Sequence, residues 1–440
     1  MTSIHTAALR PKGSHLRQLL WSVFAAGLLL QLLFVVRAWR AWPSYPEMKG
    51  NIVARDSLQF SDLIQPFLEK PRFLPSWKKS GTGTDLPGVL LPFLLGAPAF
   101  LTDDIRSGVL VVVLFHMAGG LLLVATLRRA LGDRFTVIYL VVFWLSPWRL
   151  FYSGFIWEPN LLVLPAAVHL WSCQVSRGSA RPLASFALGA TLVLTLQIHY
   201  SAFFLIFLTG LLHWRKAVRI SWAAFLGGAL AGGLPLLPAV IATAHGTGLD
   251  FSSESGFPGR GFVLVLPVLR ALLFWARLGS LDVGRMYAGD CVSCVQASLS
   301  GSTIDEVRCL VYRLSGLLAS ASVLLSLAAL GWWYRRSREP ARPEPERWMS
   351  TYTESALLSL LCAAGIAPIT LQTWHVVIAA SAACLPVTFW IAARWPFERR
   401  WLQALVVAFL LARLPLAGLL AYEYPGFCLV PEAVARNVQD

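Results

Sequence analysis

The chain has 440 residues, 56% hydrophobic and 14% charged, and its mean hydropathy is +0.62. Soluble globular domains are about a quarter charged, so this composition excludes a chain solvated mainly by water. The formal net charge of +14 would suggest a nucleic-acid partner in a soluble protein. Here the basic residues fall between apolar runs, where they report membrane topology, and no nucleic acid is expected.

In chain order, residues 1–18 read as a cytoplasmic N-terminus carrying Arg10, Lys12 and Arg17. The apolar run Leu19–Val36 that follows lacks a small-x-small cleavage site and ends in Arg37, Trp39, Arg40 and Trp42. It reads as a retained first transmembrane helix rather than a signal peptide. A span needs about 20 largely apolar residues. Runs of that order begin near Leu19, Gly108, Phe135, Asn160, Pro182, Ala202, Trp222, Tyr312, Ser355, Val376 and Trp401. The prediction is an all-α polytopic membrane protein with about eleven spans, forming one membrane domain over 19–430 with an outer tail at 431–440.

Six basic clusters orient the spans: Arg10/Lys12/Arg17, Arg128/Arg129/Arg134, Arg177/Arg181, Arg215/Lys216/Arg219, Arg335/Arg336/Arg338/Arg342/Arg347 and Arg394/Arg399/Arg400. With simple alternation all six fall on one side, the cytoplasm by the positive-inside rule, so the N-terminus is inside and the C-terminus outside. The expected location is the cytoplasmic (inner) membrane, with long outer loops at 39–106 and 244–308. The segment at 335–350 is Pro-rich and charged and reads as a flexible cytoplasmic linker. Cys173, Cys362 and Cys384 read as buried fillers. Cys291, Cys294, Cys309 and Cys428 fall outside, where one or two disulfides are expected. The lone CxxC has no adjacent His-rich partner and does not read as a zinc site.

In the first outer loop, Phe60, Leu63, Ile64, Phe67 and Leu68 recur at helical spacing after Asp56. They predict an amphipathic interfacial helix with Asp56 at its N-terminal end, where a carboxylate favours the helix dipole. Leu86–Leu101 is broken by Pro87, Pro92, Gly96 and Pro98 and reads as a second interfacial segment. A span there would invert every later basic cluster. Downstream, SPWRLFYSGFIWEPN places Glu158 and Asn160 in an outer turn before the fourth helix, where helix capping accounts for them as readily as function does. Arg413 interrupts an apolar helix near the outer face. A charge inside a span is a functional candidate, with snorkelling as the alternative. Gln197, His199 and Tyr200 close the fifth span, and His375 opens the tenth, all toward the outer side. His169 and His213 lie toward the inner side and read as structural.

The order of Asp56, an aromatic four residues on, a Gly/Pro-rich stretch and a second amphipathic segment resembles the C-type membrane glycosyltransferases. The nearest branch is that of protein O-mannosyltransferases and the lipid A aminoarabinose transferase. Ser146-Pro147 followed by Glu158 matches the place of a second acidic residue in that family. The resemblance covers about residues 15–215. It implies a polyprenyl-phosphate sugar donor, a lipid, glycan or protein acceptor, and transfer with inversion outside the cytoplasmic membrane. It also implies Asp56 as general base and Glu158 as helper, either of which would hold a divalent cation such as Mg or Mn if one is used. Ser57 stands where relatives have a second acid, Val376 where they have an aromatic, and Asp85 near where they have a Lys. Candidates for donor phosphate or substrate binding are therefore Arg55, Lys78, Lys79, Arg285, Arg413, His375, His199, Gln197, Tyr200 and Asn160, with Arg260, Arg270 and Arg277 as alternatives. Competing readings are a transporter or lipid flippase, and a surface-polysaccharide ligase or polymerase. A transporter would place charges at mid-membrane, and a ligase would weight its signature to a late loop.

Overall fold

The computed structural model describes residues 13–47, 52–69, 76–79, 85–246, 265–282, 303–339, 342–367 and 372–423. The protein is an all-α polytopic membrane protein. Among the described residues six helices are long and apolar enough to cross a membrane: Ser14–Pro46, Ile105–Trp144, Trp222–Ala244, Cys309–Arg336, Thr373–Arg394 and Arg400–Tyr422. All eleven apolar runs are at least partly helical, but the runs from Asn160, Pro182 and Ala202 form helices of only 13, 17 and 13 residues. The run from Ser355 belongs to a 23-residue helix whose first turns are polar.

Helix α1, Gly13–Ala41, has an Ala/Leu-rich interior without proline and gives way to a 3-10 turn at Trp42–Glu47, where Pro43 enters. After it come α2, Ile52–Glu69, and α3, Leu90–Thr102. At 13 residues α3 is too short to span, as its interrupted sequence predicts. Between α2 and α3 a small antiparallel pair, β1 (Ser76–Lys79) and β2 (Asp85–Pro87), sets Lys79 opposite Asp85. The sequence reading contained no strand here.

The second and third runs form one element with a break. Helix α4, Val109–Tyr139, is interrupted at Gly132 (φ 85°, ψ 173°), a conformation only glycine adopts at low cost. The first arm runs antiparallel to α1: Arg106 lies over the Trp39 ring, and Gly120 sits against Phe24. The second arm runs parallel to α1, from Asp133, paired with Arg17, to Trp144, whose indole stacks on Phe24 and donates to its carbonyl. This arm ends in a π-helical turn, Leu140–Trp144, at the level of the middle of α1. The chain then forms α5, Pro147–Phe151, capped by the Ser146 hydroxyl, and a 3-10 turn at Glu158–Leu161. It turns back through α6, Val163–Val175.

The remaining helices are α7 (Pro182–Ile198), α8 (Ala202–Trp214), α9 (Trp222–Gly233), α10 (Leu237–Ala244), α11 (Val265–Leu278), α12 (Thr303–Arg336), α13 (Glu344–Ile366), α14 (Ala380–Ala383), α15 (Leu385–Arg394) and α16 (Arg400–Glu423). Helices α7 and α9 approach backbone to backbone. A Cβ at Gly189 would collide with the Phe225 carbonyl, and one at Gly228 with that of Phe186. Small residues at such a crossing are how helices associate in lipid, where apolar surface alone gives no preference for a partner.

The basic clusters gather at the end of the bundle where α1 begins. Arg128 pairs with Asp133, and Arg134 donates to the Trp395 carbonyl. The Arg394 guanidinium lies over the Trp332 ring, Arg177 pairs with Glu344, and Arg215 pairs with Glu354. Arg10 and Lys12 lie outside the described residues.

Three expectations change. The 335–350 stretch is largely helical, because α12 runs to Arg336 and Pro345 starts α13 early, while Arg342 is buried and donates to Ser350. Cys362 is exposed on α13 rather than a buried filler, whereas Cys173 and Cys384 are buried. Cys309 is disulfide-bonded, while Cys291, Cys294 and Cys428 lie outside the described residues, as does the 431–440 tail. The 244–308 segment, expected as an outer loop, also contains a helix, α11, that its sequence did not announce.

Candidate functional site

Helix α2 begins four residues before Asp56, so this carboxylate is not the N-terminal dipole charge the sequence suggested. Its placement follows from periodicity. Val53, Ser57, Phe60 and Ile64 form the buried face, and Asp56 falls on that face at 4% exposure. Arg55, next to it on the outer side, turns its guanidinium back to pair with the carboxylate at 2.9 Å. A carboxylate buried by its own helix phase is costly and is retained where it is hydrogen-bonded or used.

What Asp56 faces is set by the segment between the second arm of α4 and α6. Trp148, Tyr152 and Trp157 form a stack with ring centroids 6.1 and 5.9 Å apart, and Trp374 packs on Trp157 at 5.5 Å. The Tyr152 hydroxyl is 3.0 Å from that of Thr373. From α11, Arg277 reaches over the Trp148 ring and pairs with Asp282 at 2.9 Å. Burial pushes the Tyr152 phenol up, its hydrogen bond with Thr373 and the nearby Arg277 charge oppose this, and the Asp56 carboxylate adds to it. Asp56 and Arg277 thus each lie within electrostatic reach of Tyr152. Beside them Ser57 lines a small cleft walled by Trp39, Trp42, Tyr45, Arg106 and Phe155.

The other candidates divide. Glu158 is buried in the first turn of Glu158–Leu161, a turn packed on Thr373–Ala379. Trp157, not Glu158, is the N-cap residue there, and α6 starts at Val163 rather than Asn160. Asn160 acts as a brace: its amide donates to the Phe155 carbonyl, and its own carbonyl meets the His116 ring at 2.9 Å. Gln197 braces too, donating to the Gly232 carbonyl at 2.7 Å. His199 and His375 come together, with ring centroids 5.8 Å apart. Arg270, from α11, joins them by donating to Gln372, the residue that caps the His375 turn. Tyr200 is half-buried beside His199.

Arg413 is wholly buried and donates to the carbonyls of Ser280 and Gly279, at 3.3 and 3.1 Å, with its guanidinium over Phe409. It holds the turn that joins Arg277 to Asp282. Lys78 and Lys79 occupy β1, but their side chains lie outside the described residues, as do Arg260 and Arg285. Among the described residues no three His, Cys, Asp or Glu side chains are grouped to hold a metal.

Sequence reasoning missed Tyr152, Thr373, Gln372 and Asp282. The aromatic density around Tyr152 was the signal for the first, while the others emerge only from tertiary contacts. It also missed Arg149, whose buried guanidinium donates to the carbonyls of Trp144 and Gly27 and to the side chain of Gln31. Gln31 in turn donates to the Ser153 carbonyl, so the pair ties the aromatic segment to the middle of α1.

Neither the family models nor the curated proteins contain a match to this chain. Among solved structures, one similar chain is an oligosaccharyltransferase of Archaeoglobus fulgidus, tethered through a disulfide to an acceptor peptide containing the NVT sequon. It aligns with a TM-score of 0.48 at 12% identity, over 94% of this chain and 56% of that one. This chain thus spans little more than half the length of that protein, and the likeness is too distant to carry a functional argument.

Proposed function

We propose that the protein is an integral membrane glycosyltransferase, moving a sugar from a polyprenyl-phosphate donor to a lipid, glycan or protein acceptor on the extracytoplasmic face of the cytoplasmic membrane. The observation that carries this reading is the inward placement of Asp56, a buried carboxylate in electrostatic reach of Tyr152, which Arg277 also approaches. The short motifs resembling C-type glycosyltransferases point the same way.

In this reading Asp56 takes the proton from an acceptor hydroxyl as its oxygen attacks the anomeric carbon. The bond from that carbon to the phosphate oxygen breaks, and the phosphate leaves with the electron pair. A single displacement inverts the anomeric centre. Cationic side chains on the donor side stabilise the charge that grows on the phosphate, for which Arg277 and Arg270 are available. The rings of Trp157 and Trp374 meet at 55°, and Trp374, the less buried of the two, offers apolar surface to a sugar ring. Glu158 would orient the acceptor.

Buried charges would favour a transporter instead. Arg149 and Arg413 are such charges, but both guanidinium groups are engaged with backbone carbonyls in bracing roles. The test is sugar transfer by purified protein supplied with polyprenyl-phosphate sugars and membrane extract. Asp56→Asn keeps the shape and removes the base, and a loss of at least a hundredfold in rate is expected. Equal transfer by variant and wild type would remove Asp56 from the mechanism.

A further inference from the structure

The arginines at the basic end of the bundle differ in what holds them. Arg128, Arg177 and Arg215 each pair with a carboxylate, which neutralises them within the protein. Arg134 and Arg394 are held in place without one. Arg134 donates through Nη2 to the Trp395 carbonyl at 2.7 Å, and Arg394 lies over the Trp332 ring, 5.4 Å from its centroid. Both side chains are exposed, and neither makes an ion pair among the described residues. A guanidinium placed over a ring keeps its N–H donors for another acceptor, and Arg134 uses only part of its fork on the carbonyl.

Three elements bring these groups to one turn. Arg394 and Trp395 end α15, between Arg134 in the second arm of α4 and Trp332 near the end of α12. Phe135 packs on Phe389 at 4.8 Å and fixes α15 against α4. Arg336 also lies over Trp332, but it pairs with Glu339. Glu398 is exposed in the bend that follows and pairs with neither free guanidinium. Trp332 and Trp395 are half-buried, as indoles at a membrane–water interface are. About two and four helical turns before Trp332, α12 exposes Leu324 and Leu317 at 71% and 67%. Topology asks only for positive charge on this side, not for two guanidinium groups fixed on one turn with donors to spare.

We infer that Arg134 and Arg394 bind the phosphate of an anionic phospholipid in the leaflet at the basic end, with Trp332 and Trp395 beside its glycerol and its acyl chains along α12. Charge-assisted hydrogen bonds from two forks suit a phosphate, and the indoles and leucines suit the rest of a lipid. The site lies at the opposite end of α1 from Asp56 and does not rest on the proposed sugar transfer.

The full chain in neutral detergent would be titrated with phosphatidylglycerol, phosphatidylcholine and inorganic phosphate, counting bound molecules by native mass spectrometry, with thermal unfolding as the folding control. The wild type is expected to bind phosphatidylglycerol about tenfold more tightly than phosphatidylcholine and to be stabilised by it. Arg134→Gln and Arg394→Gln should each weaken that binding about fivefold, and the double variant about thirtyfold. Arg394 donates to no described residue, so its variant should unfold as the wild type does when lipid is absent. Arg181→Gln removes the same charge from the same face and should leave the binding unchanged. An equal loss in Arg181→Gln would reduce the effect to diffuse surface charge and overturn the site. Undiminished phosphatidylglycerol binding by the double variant would overturn it too, as would equal binding of the two lipids by the wild type. Inorganic phosphate binding as tightly as phosphatidylglycerol would make the occupant a soluble anion and overturn the lipid assignment.

Discussion

The hydroxyls of Tyr152 and Thr373, 3.0 Å apart, join the aromatic segment after α4 to the turn that carries His375. If that contact is the main role of both groups, their removal is not additive. Tyr152→Phe and Thr373→Ala should each cost about 1 kcal/mol, and the double variant little more than the larger single loss. Equilibrium unfolding in detergent measures this, and full additivity would mean that the two hydroxyls act separately. Arg413 belongs to the same scale. Its methionine variant fills much of the same volume but leaves the Gly279 and Ser280 carbonyls without their donor, which should cost about 2–4 kcal/mol. The loss should appear first as faster hydrogen exchange in the Arg277–Asp282 turn. A change confined to ligand affinity, with stability intact, would return Arg413 to a direct binding role.

At the level of elements, the break in α4 and the crossing of α7 with α9 rest on glycines for different reasons. Gly132 has nothing within 4 Å of the position a Cβ would take, so Gly132→Ala meets no clash. Its cost is conformational and should be about 1–3 kcal/mol. Gly228→Leu should be far worse, because its side chain has to displace the α7 backbone at Phe186. The two variants separate by rescue: no α7 substitution should repair Gly132→Ala, and no detergent or lipid condition should restore Gly228→Leu to wild-type stability. The run boundaries and basic clusters were legible in the sequence because charge and hydropathy are properties of single residues. The half-length second arm of α4 was not, since the apolar run from Phe135 continues past Trp144 through Leu145, Trp148, Leu150 and Phe151 and reads as a full span. Asp56 was legible as an acid near an amphipathic helix, but its inward phase depended on where the helix began. That was decided by a helix beginning at Ile52, four residues ahead of the expected start, with Val53 and Ala54 buried. The partnership of His199 with His375 brings together residues far apart in sequence and left no local trace.

For the whole molecule, the basic ends of the helices collect on one face, and the α10 terminus lies at the other. Single cysteines at Arg181, which opens α7, and at Gly246, just past α10, should therefore react from opposite sides of sealed vesicles. The measurement needs a background in which the exposed Cys362 has been replaced. Labelling of both sites from one side would refute the alternation on which the proposed outer location depends.

Because the second arm of α4 stops short, the aromatic floor lies at the depth of Gln31, which holds the Ser153 carbonyl. From Gln31, α1 climbs another ten residues to Ala41, or about 15 Å at the helical rise. The Asp56 carboxylate sits above that floor, since its neighbour Ser57 lines a cleft with Val35, Trp39 and Trp42 at the end of α1. At 4% exposure it offers no open face to a rigid folded acceptor. Under the proposed reaction only a slender group, such as an extended peptide, a glycan end or a lipid headgroup, could bring a hydroxyl to it. Selection among acceptors would then begin with reach, before any contact in the site discriminates between them.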